Sequence, residues 1–103
     1  MQFDSDMSAD ARREALANMF GEHDFVAITY AKVSGEVTTR IAAAMRKVPE
    51  TDAPKGAGRK MSEDNFRYYE WGRENRFDAG APGDWASCKI ANIKAIEPTT
   101  VTE

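Results

Sequence analysis

The segment from Asn65 to Ile96 constrains the fold most, because it alternates like the two strands of an antiparallel hairpin. Its first part is a run of aromatic residues, and its second part starts at Trp85 and continues with alternating apolar and polar side chains. Residues 78–84, which join the two parts, are small or turn-forming. The aromatic run consists of Phe66, Tyr68, Tyr69 and Trp71. This pattern predicts a small β domain closed by a hairpin.

Length, charge and cysteine content exclude several classes of protein. A chain of 103 residues can bury one modest core, so we expect residues 1–103 to form a single domain. Its 14 basic and 17 acidic side chains give a net charge of -3, the wrong sign for a protein that coats nucleic acid. Cys88 is the only cysteine, and residues 1–10 lack the apolar segment of a secretory leader, so we expect a reducing, cytoplasmic location. The apolar runs are far shorter than the roughly 20 residues that span a bilayer, so we expect no membrane association.

One helix is predicted near the start of the chain, over residues 9–20. Ser8 is a good N-cap, and Asp10 suits the positive end of the helix dipole. Gly21 suits the left-handed position after the last turn. The apolar residues of the helix form a short stripe, which indicates that it covers a sheet. They are Ala15, Leu16, Met19 and Phe20.

A first hairpin is predicted over residues 24–41, where apolar and polar side chains alternate on both sides of Ser34-Gly35. A two-residue loop at Ser34-Gly35 requires positive φ angles, which glycine adopts freely and serine only at a cost. A longer loop with a bulge is the competing geometry.

The remaining segments determine the predicted architecture. Residues 49–63 are rich in proline, glycine and charge, so we expect an exposed basic loop. Residues 97–103 are polar and contain a proline, which predicts a frayed end. Residues 24–96 then hold four to five short strands, and curling them into a barrel removes most of the exposed edge. The predicted fold is mainly β with one N-terminal α-helix, arranged as a small antiparallel barrel of four to five strands.

Several short motifs follow one another in a particular order along residues 25–96. A hairpin with a small-Gly turn and an arginine in its second strand comes first, and a Pro, Lys and Gly-rich loop at residues 54–60 follows. An aromatic strand ending in Tyr68-Tyr69-Glu70-Trp71 then precedes Trp85 and an alternating strand. In this order the chain resembles small phage-encoded proteins of SH3-like β-barrel fold, a group without an assigned activity. The resemblance implies an SH3-like barrel and a phage origin, and it assigns no functional residue. The expanded turn at residues 73–82 and Ala86, where a basic residue is expected, depart from that pattern.

The sequence contains no constellation that predicts catalysis or metal binding. A nucleophilic pair would join Cys88 and His23, but Cys88 alternates with Ile90, which favours a buried and inert thiol. Asp78 and Asp84 bracket a turn without the spacing of a calcium loop, so we expect them to bond the backbone. We therefore expect no enzymatic activity, no cofactor and no metal.

A basic segment and an aromatic strand are the candidate binding features. Residues 40–60 carry six basic and two acidic groups, whereas both flanking segments are acidic. Alternation along the next strand places Arg67, Tyr69 and Trp71 on one face, although it does not decide which tyrosine is exposed. Arginine beside exposed rings suits contact with protein or nucleic acid. The predicted partner-binding residues are Arg46, Lys47, Lys55, Arg59, Lys60, Arg67, Tyr69 and Trp71.

Together with the phage origin that the resemblance implies, these features predict a non-enzymatic phage accessory protein that binds a host or phage protein in the host cytoplasm. Inhibition or redirection of a host enzyme, or of a defence system, is a hypothesis that fits this prediction. The alternative is a nucleic-acid-binding small barrel that uses the basic loop for phosphates and exposed aromatic rings for stacking.

Overall fold

The structure is a computed structural model that describes residues 1–49, 64–76 and 78–101. One helix and five strands follow each other along the chain: α1 Ala9–Glu22, β1 Phe25–Ala31, β2 Val37–Ala43, β3 Asn65–Trp71, β4 Gly83–Lys89 and β5 Ile93–Thr99. The strands form one antiparallel sheet in the order β4-β3-β2-β1-β5. The predicted class, mainly β with an N-terminal helix, is confirmed. No helix in the described ranges is long and apolar enough to cross a membrane.

The hydrogen-bonded sheet is open, with β4 and β5 at its edges. Closure into a barrel, as predicted, is therefore not seen among the described strands. The first residues of the chain cover the outer edge of β5. The Phe3 N–H donates to the Lys94 carbonyl over 2.8 Å, and the Ile96 N–H donates to the Met1 carbonyl over 2.9 Å. This pairing protects one edge from association with other strands.

Helix α1 starts at the predicted cap and ends later than predicted. The Ser8 Oγ accepts a hydrogen bond from the Ala11 N–H at 3.1 Å. At the other end, the His23 N–H donates to the Met19 carbonyl over 2.9 Å, and His23 itself is extended. Gly21 lies inside the last turn, so the prediction that it terminates the helix in a left-handed conformation is wrong. The predicted apolar stripe does pack on the sheet, and its Leu16 is only 1% exposed.

Apolar residues are buried on both faces of the sheet. The larger cluster lies between the sheet and α1 and includes Val26, Ile28 and Tyr68. A second cluster on the opposite face is built around Phe25 and Tyr69. The two adjacent tyrosines of β3 therefore lie on opposite faces, as strand alternation predicts.

The loop between β1 and β2 has the longer of the two predicted geometries. The Lys32 N–H donates to the Glu36 carbonyl over 2.8 Å, which extends the strand pairing beyond β1. The Gly35 N–H donates to the Lys32 carbonyl over 2.8 Å, and Gly35 has a φ of 93°. This is a three-residue loop with glycine at its left-handed position.

The last predicted strand is divided in two, and its end is ordered. A 3₁₀ turn at Ile90–Asn92 separates β4 from β5. Residues 97–99 belong to β5 and pair with β1, so the prediction of a frayed end is wrong for them. Pro98 is compatible with this strand because β5 is at the sheet edge, where a missing N–H is tolerated. The predicted basic loop at residues 49–63 lies outside the described residues, except for Pro49.

Candidate binding surface on the aromatic face

A row of paired residues crosses four strands on the sheet face opposite α1. The register pairs Phe25 with Ala43, Ala43 with Tyr69, and Tyr69 with Trp85. Directly opposed side chains of antiparallel strands contact each other, so this register brings the aromatic rings together. We call the surface formed by Phe25, Ala43, Tyr69, Trp71 and Trp85 the aromatic face.

The rings of the aromatic face pack edge to face around the small side chain of Ala43. Trp71, two positions after Tyr69 on β3, contacts Phe25 with ring centroids 5.0 Å apart. Tyr69 contacts Trp85 with centroids 5.4 Å apart and planes at 87°. This geometry brings the positive edge of one ring to the negative face of another. Both tryptophans remain partly accessible to solvent.

A cation lies at each end of this group of rings. The Arg67 Cζ is 4.7 Å from the centroid of the Trp85 ring, and the Lys47 Nζ is 6.0 Å from that of Phe25. These distances are within the range of cation–π attraction. Arg67, Lys47 and Trp71, three of the predicted binding residues, therefore do lie on one surface.

Tyr69 supports this surface from beneath and does not form its exposed part. It is 1% exposed, and its hydroxyl donates to the Gly83 carbonyl over 2.8 Å. A Cβ at Gly83 would lie 2.9 Å from the Glu70 carbonyl carbon and 3.0 Å from Tyr69 Cε1, so only glycine allows this approach. The expectation that Tyr69 is available for contact is wrong, because the neighbouring tryptophans cover it.

The other predicted binding residues do not join the aromatic face. The Arg46 Nε is 2.6 Å from Asp24 Oδ1, and its Nη1 donates to the Phe20 carbonyl over 2.9 Å. Arg46 therefore connects the turn after β2 to the last turn of α1. Lys55, Arg59 and Lys60 lie outside the described residues.

Two arginines beside Trp85 were missed in the sequence. Arg73 and Arg76 belong to the segment between β3 and β4, and they approach Arg67 around the Trp85 ring. The spacing of Arg67, Arg73 and Arg76 does not follow the alternation of a strand, so the sequence pattern does not predict that they meet. The expanded turn at residues 73–82 was the one sequence feature that drew attention to this segment. We call the depression lined by Arg67, Arg73, Arg76, Trp85, Ala86 and Ser87 the arginine pocket.

Asp84 anchors the wall of the arginine pocket. It is 2% exposed, and its carboxylate accepts the Trp85 N–H at 2.7 Å and the Arg76 Nε–H at 3.2 Å. Burial opposes ionisation, but these hydrogen bonds from Trp85 and Arg76 hold the pKa of Asp84 below its usual value. Asp78 Oδ1 accepts the Gly80 N–H at 2.9 Å. The expectation that both aspartates bond the backbone is confirmed.

The groups considered for catalysis lie elsewhere. Cys88 is buried in the core under α1, as predicted, and burial raises the pKa of its thiol to about 11. At neutral pH the thiol is therefore protonated and a poor nucleophile. In the part of the chain that the structure describes, no three His, Cys, Asp or Glu side chains converge as a metal site.

No family model, curated protein or solved structure matches this chain.

Proposed function

We propose that this chain is a non-enzymatic binding module, a phage accessory protein that attaches to a host or phage protein in the host cytoplasm. The contact surface is the aromatic face together with Arg67. Its effect on the partner is inhibition or redirection. The phage origin rests on the resemblance noted in the sequence, and the partner class rests on the geometry of the surface.

The observation that carries this proposal is the Arg67–Trp85 pair. Arg67 is exposed and its guanidinium lies over an indole that is itself partly accessible. Trp and Arg are the residues most often found at the energetic centre of protein interfaces, because each combines a large contact area with polar donors. Packing against Tyr69 orients the Trp85 ring before binding, which lowers the entropic cost of association.

The same geometry favours protein over nucleic acid as the partner. Stacking a base on Trp85 requires a free ring face, whereas Arg67 already lies over this ring and Tyr69 packs against it with its plane at 87°. The acidic net charge of -3 adds long-range repulsion of a phosphate backbone.

Site-specific photo-crosslinking in the host cell tests the proposal. The reactive residue, p-benzoylphenylalanine, replaces Ser87, which is exposed and pairs with Arg67. The control carries it at Val33, which is 93% exposed on the β1–β2 loop and remote from the aromatic face. We expect one discrete protein adduct from position 87, unchanged by nuclease treatment, and no such adduct from position 33.

Two outcomes contradict the proposal. Equal labelling from both positions means that the contact is non-specific. An adduct that nuclease digestion shortens or removes means that the partner is nucleic acid, which is the rival function.

A further inference from the structure

The arginine pocket lies beside the aromatic face and has a chemistry of its own. Arg67 comes from β3, and Arg73 and Arg76 come from the segment that joins β3 to β4. Ser87 lies opposite Arg67 in the strand register and is exposed. Three guanidinium groups and a hydroxyl therefore line a single depression at the edge strand of the sheet.

Contacts on the inner side hold each guanidinium in place. Arg67 lies over Trp85 at 4.7 Å. The Arg73 Nη1 is 3.8 Å from Glu70 Oε1, and the Arg76 Nε is 3.2 Å from Asp84 Oδ2. The two carboxylates are the buried partners, with side chains 13% and 3% exposed, whereas the side chains of Arg73 and Arg76 are 47% and 69% exposed. The guanidinium groups are thus held in place from the side of the sheet and are accessible from the solvent side.

Arg67 and Arg73 keep unused donors. Among the described residues, the Arg67 guanidinium lies over the Trp85 ring without an ion pair or hydrogen bond, and Arg73 makes only its long ion pair with Glu70. A guanidinium has five N–H donors in a planar fork that matches the two oxygens of a carboxylate. Pre-positioned forks with open donors are suited to binding an oxyanion.

The local charge balance identifies which oxyanion fits. From residue 67 to residue 87 the chain carries three basic and four acidic side chains. A phosphate monoester would bring nearly two negative charges close to Glu70 and Asp84, whereas each aspartate or glutamate side chain brings only one, so these two carboxylates repel a carboxylate ligand less. Two arginines of the pocket already pair with carboxylates on their inner side, Arg73 with Glu70 and Arg76 with Asp84, so the geometry accepts this kind of contact.

We propose that the arginine pocket binds aspartate or glutamate side chains of an acidic segment in the partner protein. This inference rests on the proposed function, because it names the partner chemistry recognised beside the aromatic face. The Trp85 ring provides the apolar wall against which the methylene groups of such a side chain pack.

Nuclear magnetic resonance titration of the intact protein with hexaglutamate tests this inference. Hexaglutamine is the neutral peptide control, and inorganic phosphate and oligothymidylate are separate arms. We expect saturable shifts of the Arg67 and Arg73 Nε–H signals and of the Trp85 indole N–H with hexaglutamate, and none with hexaglutamine. In Arg73→Gln the affinity for hexaglutamate should fall about tenfold, because a charged fork is lost. In Lys32→Gln, a charge loss on the distant β1–β2 loop, it should be unchanged.

Three results overturn the inference: equal shifts with both peptides, no loss of affinity in Arg73→Gln, or tighter binding of phosphate or oligothymidylate than of hexaglutamate. Failure here is distinct from failure of the proposed function. A partner crosslinked from position 87 whose yield is unaffected by Arg73→Gln retains the protein-binding function and removes only the acidic-segment recognition. Hexaglutamate binding without any protein adduct from position 87 means that the pocket recognises carboxylates and that the proposed protein-binding function fails.

Discussion

The two adjacent tyrosines of β3 differ in how their hydroxyl groups are satisfied. The Tyr69 hydroxyl donates to the Gly83 carbonyl over 2.8 Å. The Tyr68 hydroxyl is buried and makes no hydrogen bond to the described residues, although Tyr30 lies nearby. Burial, followed by the neighbouring Tyr30, raises the pKa of Tyr68 above its usual value. A buried hydroxyl without a partner destabilises the folded state.

The two Tyr→Phe substitutions should therefore have different effects on stability. Tyr69→Phe should lower the free energy of unfolding by about 0.5–1.5 kcal/mol, because it removes a formed hydrogen bond. Tyr68→Phe should leave it unchanged or raise it, since it removes only an unsatisfied hydroxyl. Urea denaturation of both variants measures the difference. Equal losses would mean that the Tyr68 hydroxyl has a hydrogen-bond partner.

Alternation in the sequence predicts that these tyrosines face opposite sides, and no more than that. The alternation of side chains along a strand assigns each residue to one face of the sheet. Whether that residue is buried depends on which side chains of the neighbouring strands the register places beside it. The cover over Tyr69 comes from Trp71 and from Trp85, which the register of the β3–β4 hairpin places directly opposite Tyr69. For the same reason the arginine pocket was missed, because Arg73 and Arg76 come near Arg67 only in the folded β3–β4 hairpin.

At the level of elements, a buried arginine joins α1 to the rest of the chain. Arg12 is 5% exposed, and its Nη1 donates to the carbonyls of Ile90, Ala91 and Ile93 at 3.3, 3.1 and 2.6 Å. Its Nη2 and Nε donate to the carbonyls of the segment before α1, at 3.1 and 3.2 Å. One side chain thus donates hydrogen bonds to the carbonyl groups of the turn between β4 and β5 and holds the N-terminal segment in place.

Replacing Arg12 should be far more costly than replacing its neighbour. Arg12→Met should lower the free energy of unfolding by more than about 2 kcal/mol, because several carbonyls lose their donor at once. Arg13→Met is the matched control, since Arg13 makes one long hydrogen bond to the part of the chain that the structure describes, of 3.5 Å to the Asn65 carbonyl, and its loss should cost about 0.5 kcal/mol or less. Thermal unfolding followed by circular dichroism measures both. Similar losses in the two variants would contradict this role for Arg12.

The segment between β3 and β4 should loosen in acid because Asp84 anchors it. The pKa of Asp84 is lowered on folding, so its contribution to stability is present above the unfolded value of about 3.9 and disappears as the pH falls through the lower folded value. We expect the free energy of unfolding of the wild type to decrease below about pH 4 more steeply than that of Asp84→Asn. Denaturation curves between neutral and acid pH measure this difference. Parallel pH profiles for the two proteins would exclude Asp84 as the anchor.

The elements themselves were largely predictable from local chemistry. The Ser8 cap, the apolar stripe of α1 and the first hairpin depend on neighbours in sequence, and all three are present. The predictions were wrong where contacts with residues distant in sequence determine the local structure. Residues 97–99 are ordered because β1 pairs with them, and Gly21 remains helical because the chain turns only at His23.

On the scale of the whole molecule, charge and apolar surface are distributed unevenly. The chain has a net charge of -3, yet Lys47 and the arginines of the arginine pocket flank the aromatic face. The opposite face of the sheet is occupied by α1. This division leaves the aromatic face, with cations around accessible tryptophans, as the surface suited to a partner.

The most direct test is the affinity of the crosslinked partner for wild-type protein, Arg67→Glu and Lys32→Glu, measured by biolayer interferometry over a range of salt concentrations. Both variants reverse one charge, but the one ion pair of Lys32 within the described ranges is with Glu36 on the β1–β2 loop. We predict that Arg67→Glu weakens binding by at least about thirtyfold, as for a central interface residue, while Lys32→Glu changes it less than about twofold. The slope of log affinity against log salt should be shallower than about -4, the value expected if four or more phosphates were neutralised. An unchanged affinity in Arg67→Glu would contradict the account.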